Sequence, residues 1–394
     1  MARRMELEVW DLDRCAGCGL CVATCSKGML HWDGEAHHPI REVRQKRIGL
    51  TNIPLDSCTF CQVFCEETCP RLHEWEGLPV RRTVSAKAAG PTESGQPMDV
   101  VKALLIANLS AGMLDGVIAT DVDDWALEPR AKVMTRVEEV ADDLAVQGLW
   151  VPVLDFLNEA VYERKLSNVA VVGTPCVSEA IRTLKASENE RLDPYKEALR
   201  LNITVFCTGV YYPAPVRQFL EERMGISLRE VKRLYVSPRD KELRVELWDG
   251  SEKKAPLSKI EGYTRPGCAT CDDFLGESAD IAVGRVGAKE GYCTLLVRTE
   301  AGEQCLRNAL DLGLLEMVEE VDEKALQLAK EEKEARDRAQ AFDDLMLMML
   351  DALREPEKRA EVRQEFVRLY EVESASESVV EETRHGGCAQ CAGC

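Results

Sequence analysis

The spacing of hydrophobic positions changes along the chain, and each spacing predicts a different element. In "DVVKALLIANLSAGML" (residues 99–114) the apolar positions fall at helical intervals, and "DGVIAT" (115–120) is a short apolar run of the kind that forms a buried strand. "VEEVADDLAVQ" (137–147) returns to helical spacing, and "VPVLDFLNEAVYERK" (151–165) continues it. "NVAVVGTPC" (168–176) reads as a strand entering a tight turn, "SEAIRTLKAS" (178–187) as a helix and "LNITVFCTG" (201–209) as a strand. Apolar strands alternating with amphipathic helices predict a parallel or mixed α/β sheet. From about residue 230 the period becomes two, in "VKRLYVSP", "ELRVELWDG", "ADIAVGRVG" and "YCTLLVRTEAGE", with turns at "DG", "PG" and "AG". This predicts an α+β region packed on the α/β part. Residues 303–372 carry apolar positions at i, i+3 and i+4 between charges and are expected to be helical, with "LMLMML" as a core- or partner-facing stripe.

The remaining segments lack such periods. Residues 1–80 are cysteine-dense and turn-rich, 81–98 ("RRTVSAKAAGPTESGQPM") read as a linker or long loop, and 373–394 form a polar tail. The expected organisation is therefore a head (1–80), a linker (81–98), a mixed-sheet body (99–320), a helical extension (321–372) and the tail.

With 394 residues, the chain is long enough for two or three domains. Its net charge of −19 argues against nucleic acid as a partner, because phosphate contacts need clustered Lys and Arg. No apolar run approaches the roughly 20 residues that span a bilayer, and "MARRMELEVW" lacks the apolar core of a secretory signal. The expected location is the cytoplasm, or the periphery of a membrane complex. Seventeen cysteines in such a chain point to metal rather than to disulfides.

"CAGCGLCVATC" sets Cys15, Cys18, Cys21 and Cys25 as Cys-x2-Cys-x2-Cys-x3-Cys, and "CTFCQVFCEETCP" sets Cys58, Cys61, Cys65 and Cys69 as Cys-x2-Cys-x3-Cys-x3-Cys-Pro. Short loops let three sulfurs converge on one face of a cubane, and a fourth arrives from further along. In two-cluster ferredoxins that fourth cysteine serves the other cluster. On that pattern Cys15, Cys18, Cys21 and Cys69 hold one 4Fe-4S cluster, and Cys58, Cys61, Cys65 and Cys25 hold a second. Two structural zinc sites are the competing reading, although zinc usually takes paired Cys-x2-Cys knuckles. The second motif has three residues between Cys61 and Cys65 where two are usual, and the first lacks the usual Pro after Cys25. Between the motifs "HHPIREVRQKRIG" is locally basic: a solvated loop, or a docking patch for an acidic partner or an anionic cofactor tail.

Four further cysteines sit on elements that can converge. Cys176 follows one predicted strand and Cys207 ends the next, where ligands gather beyond the carboxyl ends of sheet strands. Cys268 and Cys271 form a Cys-x2-Cys loop in "RPGCATC". Cys293 and Cys305 read as buried strand and helix residues instead. The terminal "CAQCAGC" offers Cys388, Cys391 and Cys394, with His385 or a partner chain as a possible fourth ligand, or else forms a flexible tail.

"VAVVGTPC", "ITVFCTG", "RPGCATCDDF" and "ADIAVGRVGAKEGYCTLLVRTEAGE" together resemble the beta-subunit family of coenzyme F420 hydrogenase and dehydrogenase, over roughly residues 1–320 with the ferredoxin-like head. The resemblance implies FAD beside a 4Fe-4S cluster, and hydride exchange between that flavin and the deazaflavin F420. Cys176, Cys207, Cys268 and Cys271 match the family's core cysteines and are grouped here as ligands of one third cluster. Gly284, Gly287, Lys289 and Gly291 match the segment associated with the flavin, and Gly173, Thr174 and Pro175 the turn before the first core cysteine. Glycines there allow close approach of backbone N–H groups to a pyrophosphate. The chain departs from the family in two places. "SGQPMDVVKALL" stands where many members carry "QDGG", and "VQGLWVPVL" replaces a Gly-Thr/Ser-Lys-Tyr segment.

A chain holding flavin and clusters converts two-electron to one-electron transfer. The expected partners are F420 and a redox subunit such as a hydrogenase, formate dehydrogenase, heterodisulfide reductase or membrane dehydrogenase complex. The alternatives are a ferredoxin-dependent flavin reductase of another substrate, or an electron-wiring subunit without a hydride site. No general acid or base stands out, and no Ser-His-Asp order or phosphate loop supports hydrolase chemistry.

Overall fold

The structure is a computed structural model that describes residues 4–42, 44–48, 51–55, 61, 63–89, 96–123, 126–144, 148–237 and 241–354. The head supplies α1 (Leu20–Ala23), the short pair β1 (Leu30–His31) and β2 (Ile40–Arg41), the hairpin β3 (Arg44–Ile48) and β4 (Thr51–Leu55), and α2 (Phe64–Glu67). Next come β5 (Arg82–Ala88), α3 (Pro97–Ser110), β6 (Gly116–Asp123), β7 (Glu128–Met134), α4 (Val137–Asp143), β8 (Val169–Gly173), α5 (Pro175–Ala186), α6 (Asp193–Ala198), β9 (Leu199–Val205) and α7 (Pro213–Glu222). The series ends with β10 (Val231–Ser237), β11 (Glu242–Leu247), β12 (Glu252–Pro256), β13 (Ile281–Gly284), β14 (Cys293–Val297), α8 (Glu300–Asp311), β15 (Leu315–Val318) and α9 (Glu323–Arg354).

Eight strands form one mixed sheet in the order β15-β5-β14-β13-β9-β8-β6-β7. The centre, β13-β9-β8-β6, is parallel. Its strands are buried on both faces, which is why "VAVV" and "LNITV" read as continuous apolar runs rather than alternations. Antiparallel strands close both rims. On one face α3 and α8 pack Leu104, Leu105, Cys305 and Leu306 over Val84, Val283 and Leu295. On the other, α5 packs Val177, Ile181 and Leu184 against Ile118, Val169 and Val171. That second core also takes in Leu20, Ala23 and Phe64 of the head, so head and body share apolar contacts. Full burial of a side chain such as Leu20 contributes about 1.5–3 kcal/mol. The strands β10, β11 and β12 make a separate antiparallel sheet, with Leu243, Val245 and Leu247 alternating inward against α7. By contact density Met1–Lys333 form one unit and Glu334–Cys394 another.

The mixed α/β and α+β fold expected from the hydrophobic pattern is present, with three differences. Residues 82–88, expected as linker or loop, are a strand inside the sheet. Their residues are small and polar, but Val84 and Ala86 enter the core while Ser85 Oγ donates to Glu320 O at 2.6 Å. The helical stretch expected over 303–372 is interrupted by β15, whose Leu315 anchors the edge beside β5. Residues 355–372, and the terminal cysteines Cys388, Cys391 and Cys394, lie outside the described residues. The strands β7 and β12 are charged rim strands without an apolar period, and the hydrophobic pattern did not predict them. Among the described residues, no helix is long and apolar enough to cross a membrane.

Candidate metal centres and redox cavity

The inner thiol set of the head is built by two glycine-led turns. Gly17 and Gly19 have φ of +71° and +89°, which folds "CAGCGLC" back on itself before α1 begins at Leu20. A Cβ on Gly19 would stand 2.7 Å from the Asp155 backbone nitrogen, so the turn is also pressed against the body. Cys69 comes from the other direction, at the end of α2, and Pro70 starts a short 3-10 turn behind it. Cys21 feels the charge of Cys18, Cys15 and Cys69, and Cys69 that of Cys18 and Cys15. The four expected ligands therefore stand together. Burial pushes every one of these thiols up, Cys18 to about 12. Clustered thiols that resist ionisation are stable as thiolates only with a bound cation, and metal binding expels their protons.

Of the second head set, Cys25, Cys61 and Cys65 line one small pocket together with Leu30 and Phe64. Cys25 Sγ accepts from Met29 N at 3.3 Å, and Cys61 Sγ lies 4.0 Å from Ser26 Oγ. Cys58 lies outside the described residues.

The body set comes from three separate segments. Cys176 occupies the first turn of α5, just past β8. Cys207 lies two residues beyond β9, and Cys268 and Cys271 sit on the loop that starts at Pro266. The charges of Cys271 and Cys207 act on Cys176, and those of Cys268 and Cys271 on Cys207. Burial pushes Cys207 up to about 12. Three of the four thiols have a side-chain or backbone polar neighbour at sulfur. Thr174 Oγ1 is 3.1 Å from Cys176 Sγ, Val210 N donates to Cys268 Sγ at 3.5 Å, and Lys333 Nζ donates to Cys271 Sγ at 3.5 Å. The same ammonium donates to the carbonyls of Cys207 (3.1 Å) and Asp273 (2.8 Å).

The inner head set and the body set abut. Cys176 Sγ lies 3.8 Å from Ala16 O, and a Cβ on Gly267 would collide with the Cys15 carbonyl. Arg71 and Arg265 fill the seam, and the Nε of each is buried without a hydrogen-bond partner among the described residues. Among those residues no three His, Cys, Asp or Glu side chains close on a single metal ion. Sulfur-only donor sets, with buried N–H groups left over beside them, suit a larger sulfide-bearing group, since inorganic sulfides accept such bonds.

Beyond the carboxyl ends of β6, β8, β9 and β13 lies a cavity of about 430 Å³. Thr174, Cys207 and Gly284 line it, with the start of α3, one side of β10, and Trp248 at the rim. Lys102, Lys232 and Arg233 bring positive charge, while Asp99, Asp121, Asp142 and Asp143 oppose it. Gly284 is required here because a Cβ would fall within the Phe206 ring. Of the residues expected at the flavin, Thr174 and Gly284 line this cavity, and Gly173 and Pro175 flank it where β8 passes into α5. Gly287, Lys289 and Gly291 do not line it. Gly287 packs against Asp322 and Leu326 at the start of α9, Gly291 has a φ of +80° in a turn, and Lys289 is exposed.

Residues 14–72 match a 4Fe-4S dicluster domain, and residues 166–323 match the family described as the C-terminal part of the coenzyme F420 hydrogenase/dehydrogenase beta subunit. An uncharacterized protein of Methanocaldococcus jannaschii is 33% identical over 357 residues, covering 85% of this chain and 97% of that one. The beta subunit of coenzyme F420 hydrogenase from Methanococcus voltae is 30% identical over 244 residues, covering 60% of this chain and 83% of that one. The chain belongs to the coenzyme F420 hydrogenase/dehydrogenase beta-subunit family. As a member it is an F420-related iron–sulfur oxidoreductase subunit with a 4Fe-4S dicluster head. A chain of the F420-reducing [NiFe] hydrogenase complex from Methanosarcina barkeri shares its fold, with a TM-score of 0.60 and 23% identity, over 68% of this chain and 92% of that one.

Within this family member, sequence reasoning missed three cations that stand among the thiols, Arg265 and Lys333 buried and Arg71 part-buried. One signal was available for Arg71, two residues after Cys69 in "CPRL". Arg265 and Lys333 carried none, because only the fold brings residues 15, 207, 265, 271 and 333 into one neighbourhood.

Proposed function

We propose that this chain is an iron–sulfur flavoprotein subunit that exchanges a hydride between coenzyme F420 and FAD and relays single electrons to a partner redox subunit. Cys15, Cys18, Cys21 and Cys69 are the ligands of the inner head cluster, and Cys25, Cys58, Cys61 and Cys65 those of the outer one. Cys176, Cys207, Cys268 and Cys271 are those of a third. The observation that carries the reading is Cys207, which belongs to the body thiol set and also lines the cavity at the strand ends. A hydride site and a one-electron carrier are thereby neighbours. When bound, FAD would accept a hydride and release it as two single electrons and a proton, and the clusters would carry those electrons one at a time.

The chain's own residues supply position and charge. Thr174 and Gly284 form a narrow, side-chain-poor wall at the ends of β8 and β13, suited to a flat ring system. The N-terminus of α5, with Pro175 as its first residue, directs backbone N–H groups towards an anion at that wall. Lys102, Lys232 and Arg233 complement phosphate groups, and Trp248, 59% exposed at the rim, offers a stacking face to a second ring. The seam between the inner head set and the body set gives electrons a short path into the head.

The test uses anaerobically prepared full-length protein, with flavin quantified after extraction and its absorbance followed on adding reduced F420. One FAD per chain that bleaches supports the reading. Flavin that stays oxidised points to a reductase of another substrate, and protein with iron but no flavin to an electron-wiring subunit. Zinc in place of iron overturns the reading altogether.

A further inference from the structure

Two arginines lie across the seam, Arg265 buried and Arg71 part-buried, and the charge of each acts on thiols of both sets. Arg71 follows Cys69 by two residues. Its charge acts on Cys15, Cys18 and Cys69 in the head and on Cys176 in the body, and its Nη2 donates to Gly267 O, beside Cys268, at 3.5 Å. Arg265 donates to the Cys15 carbonyl, and its charge acts on the thiols of Cys15 and Cys268. Arg265 is 1% exposed. It donates to the carbonyls of His37 (2.5 Å), Ala36 (3.3 Å) and Cys15 (3.5 Å). Its guanidinium lies 4.3 Å from the Trp150 ring centre, 5.2 Å from Tyr212 and 5.8 Å from Trp32.

Among the described residues Arg265 makes no ion pair with a carboxylate. Arg71 has one, Glu179 at 3.5 Å, whose own carboxyl is pushed up by burial. Burying a guanidinium without an anion is costly, and arginine does not escape by losing its proton. The charge is tolerable if the neighbouring sulfur sets are anionic, as clusters held by four thiolates are.

We propose that Arg71 and Arg265 are shared positioning charges. Each straddles the inner head cluster and the body cluster, raises the reduction potential of both, and lowers the electrostatic cost of passing an electron between them. This rests on the ligand sets proposed above. A fixed positive charge and N–H donors directed at sulfur favour the reduced, more negative state of a cluster, so removing them moves the potential down. Arginine is suited to the task because its charge is permanent and its planar face stacks on aromatic rings, as that of Arg265 does on Trp150.

The test is an EPR-monitored redox titration of the anaerobic full-length chain, with iron and sulfide counted on the same samples. The variants are Arg71→Gln, Arg71→Lys, Arg265→Gln and Arg265→Lys. With about twelve irons per chain retained, each Gln variant is expected to favour oxidation of two clusters at least tenfold at a fixed ambient potential. That is a downward shift of about 59 mV or more for one electron. The Lys variants are expected to recover part of it. The outer head cluster is the internal control, because Cys25 and Cys61 take their polar neighbours from Met29 and Ser26. Among the described residues Arg71 holds only a long 3.5 Å bond to Gly267 O besides its ion pair, so Arg71→Gln keeps the proposal testable if Arg265→Gln loosens the loop at 36–37. Full iron content with wild-type potentials in Arg71→Gln overturns the proposal, as does a shift confined to one cluster. About eight irons in the wild type overturns the third cluster instead, which separates that failure from this one.

Discussion

The inner head thiols and the body thiols meet across one seam, yet they are assembled by opposite means. Three of the head thiols lie within seven residues, and two positive-φ glycines turn them together. The body thiols span residues 176 to 271 and meet because β8 and β9 are adjacent parallel strands that end on the same side. The head site is a local loop property that packs against the body. The body site is a property of sheet topology, and it lies next to the cavity for the same reason that it exists: strand ends gather there. On the proposed function, a site built this way would tie a one-electron carrier to the hydride site, whereas a loop-built site needs docking to reach it.

The largest expected effect tests whether the two sets act separately. Cys268→Ser should cost about four of about twelve irons and leave the head signals intact, and Cys18→Ser should cost the same number from the head. Iron and sulfide quantitation with EPR reads this, and unchanged iron in Cys268→Ser would remove the body centre. Next in size is the seam itself. Gly267→Ala drives a methyl into the Cys15 carbonyl and should destabilise the protein by about 1–3 kcal/mol, read as a lower Tm. If stability is unaltered, the head does not rest on the body there.

Asp155 sits beneath Gly19 in the body, and burial pushes its carboxyl up to about 6. Its folded form holds the proton more tightly than the unfolded chain, so stability falls as pH rises between about 4 and 6 and is level above that. Asp155→Asn should therefore raise stability by about 1–2 kcal/mol at pH 7.5, since each unit is worth about 1.4 kcal/mol before allowance for its partial exposure. The gain should shrink towards pH 4.5 in denaturant titrations, and a gain independent of pH would assign the effect to something other than the charge. The smallest effect is Thr174→Val, which removes the hydroxyl beside Cys176 Sγ. A loss of about 1 kcal/mol with full iron content is expected, in contrast to the cysteine variants.

Much of this arrangement was legible beforehand, for identifiable reasons. The parallel centre of the sheet announces itself because strands buried on both faces must be apolar at every position, as in Val169–Gly173. Cys15, Cys18 and Cys21 were legible because their spacing is itself the geometry of the site. Cys293 and Cys305, read as buried structural thiols, are indeed fully buried in β14 and α8. The strand at Arg82–Ala88 was not legible, because its stability comes from its neighbours β14 and β15 and from one serine hydroxyl, none of them adjacent in sequence. Nor was the failure of Gly287, Lys289 and Gly291 to reach the cavity. A glycine-containing turn looks alike whether it faces a ligand or, as Gly287 does, the first turn of α9.

By itself the sequence determined the chemistry available: sulfur donors in cubane spacing, an α/β alternation with cysteines at strand ends, and a family resemblance. Short-range spacing and hydrophobic period are enough for that, because both act within a few residues. Only the tertiary structure decided which thiols stand beside which, that Cys207 faces both a metal-type site and a cavity, and that Arg71 and Arg265 lie between two such sites. Those are contacts between residues up to 250 positions apart in the chain. Burial and electrostatics depend on distance in space, and the chain order of residues 15 and 265 carries no record of it.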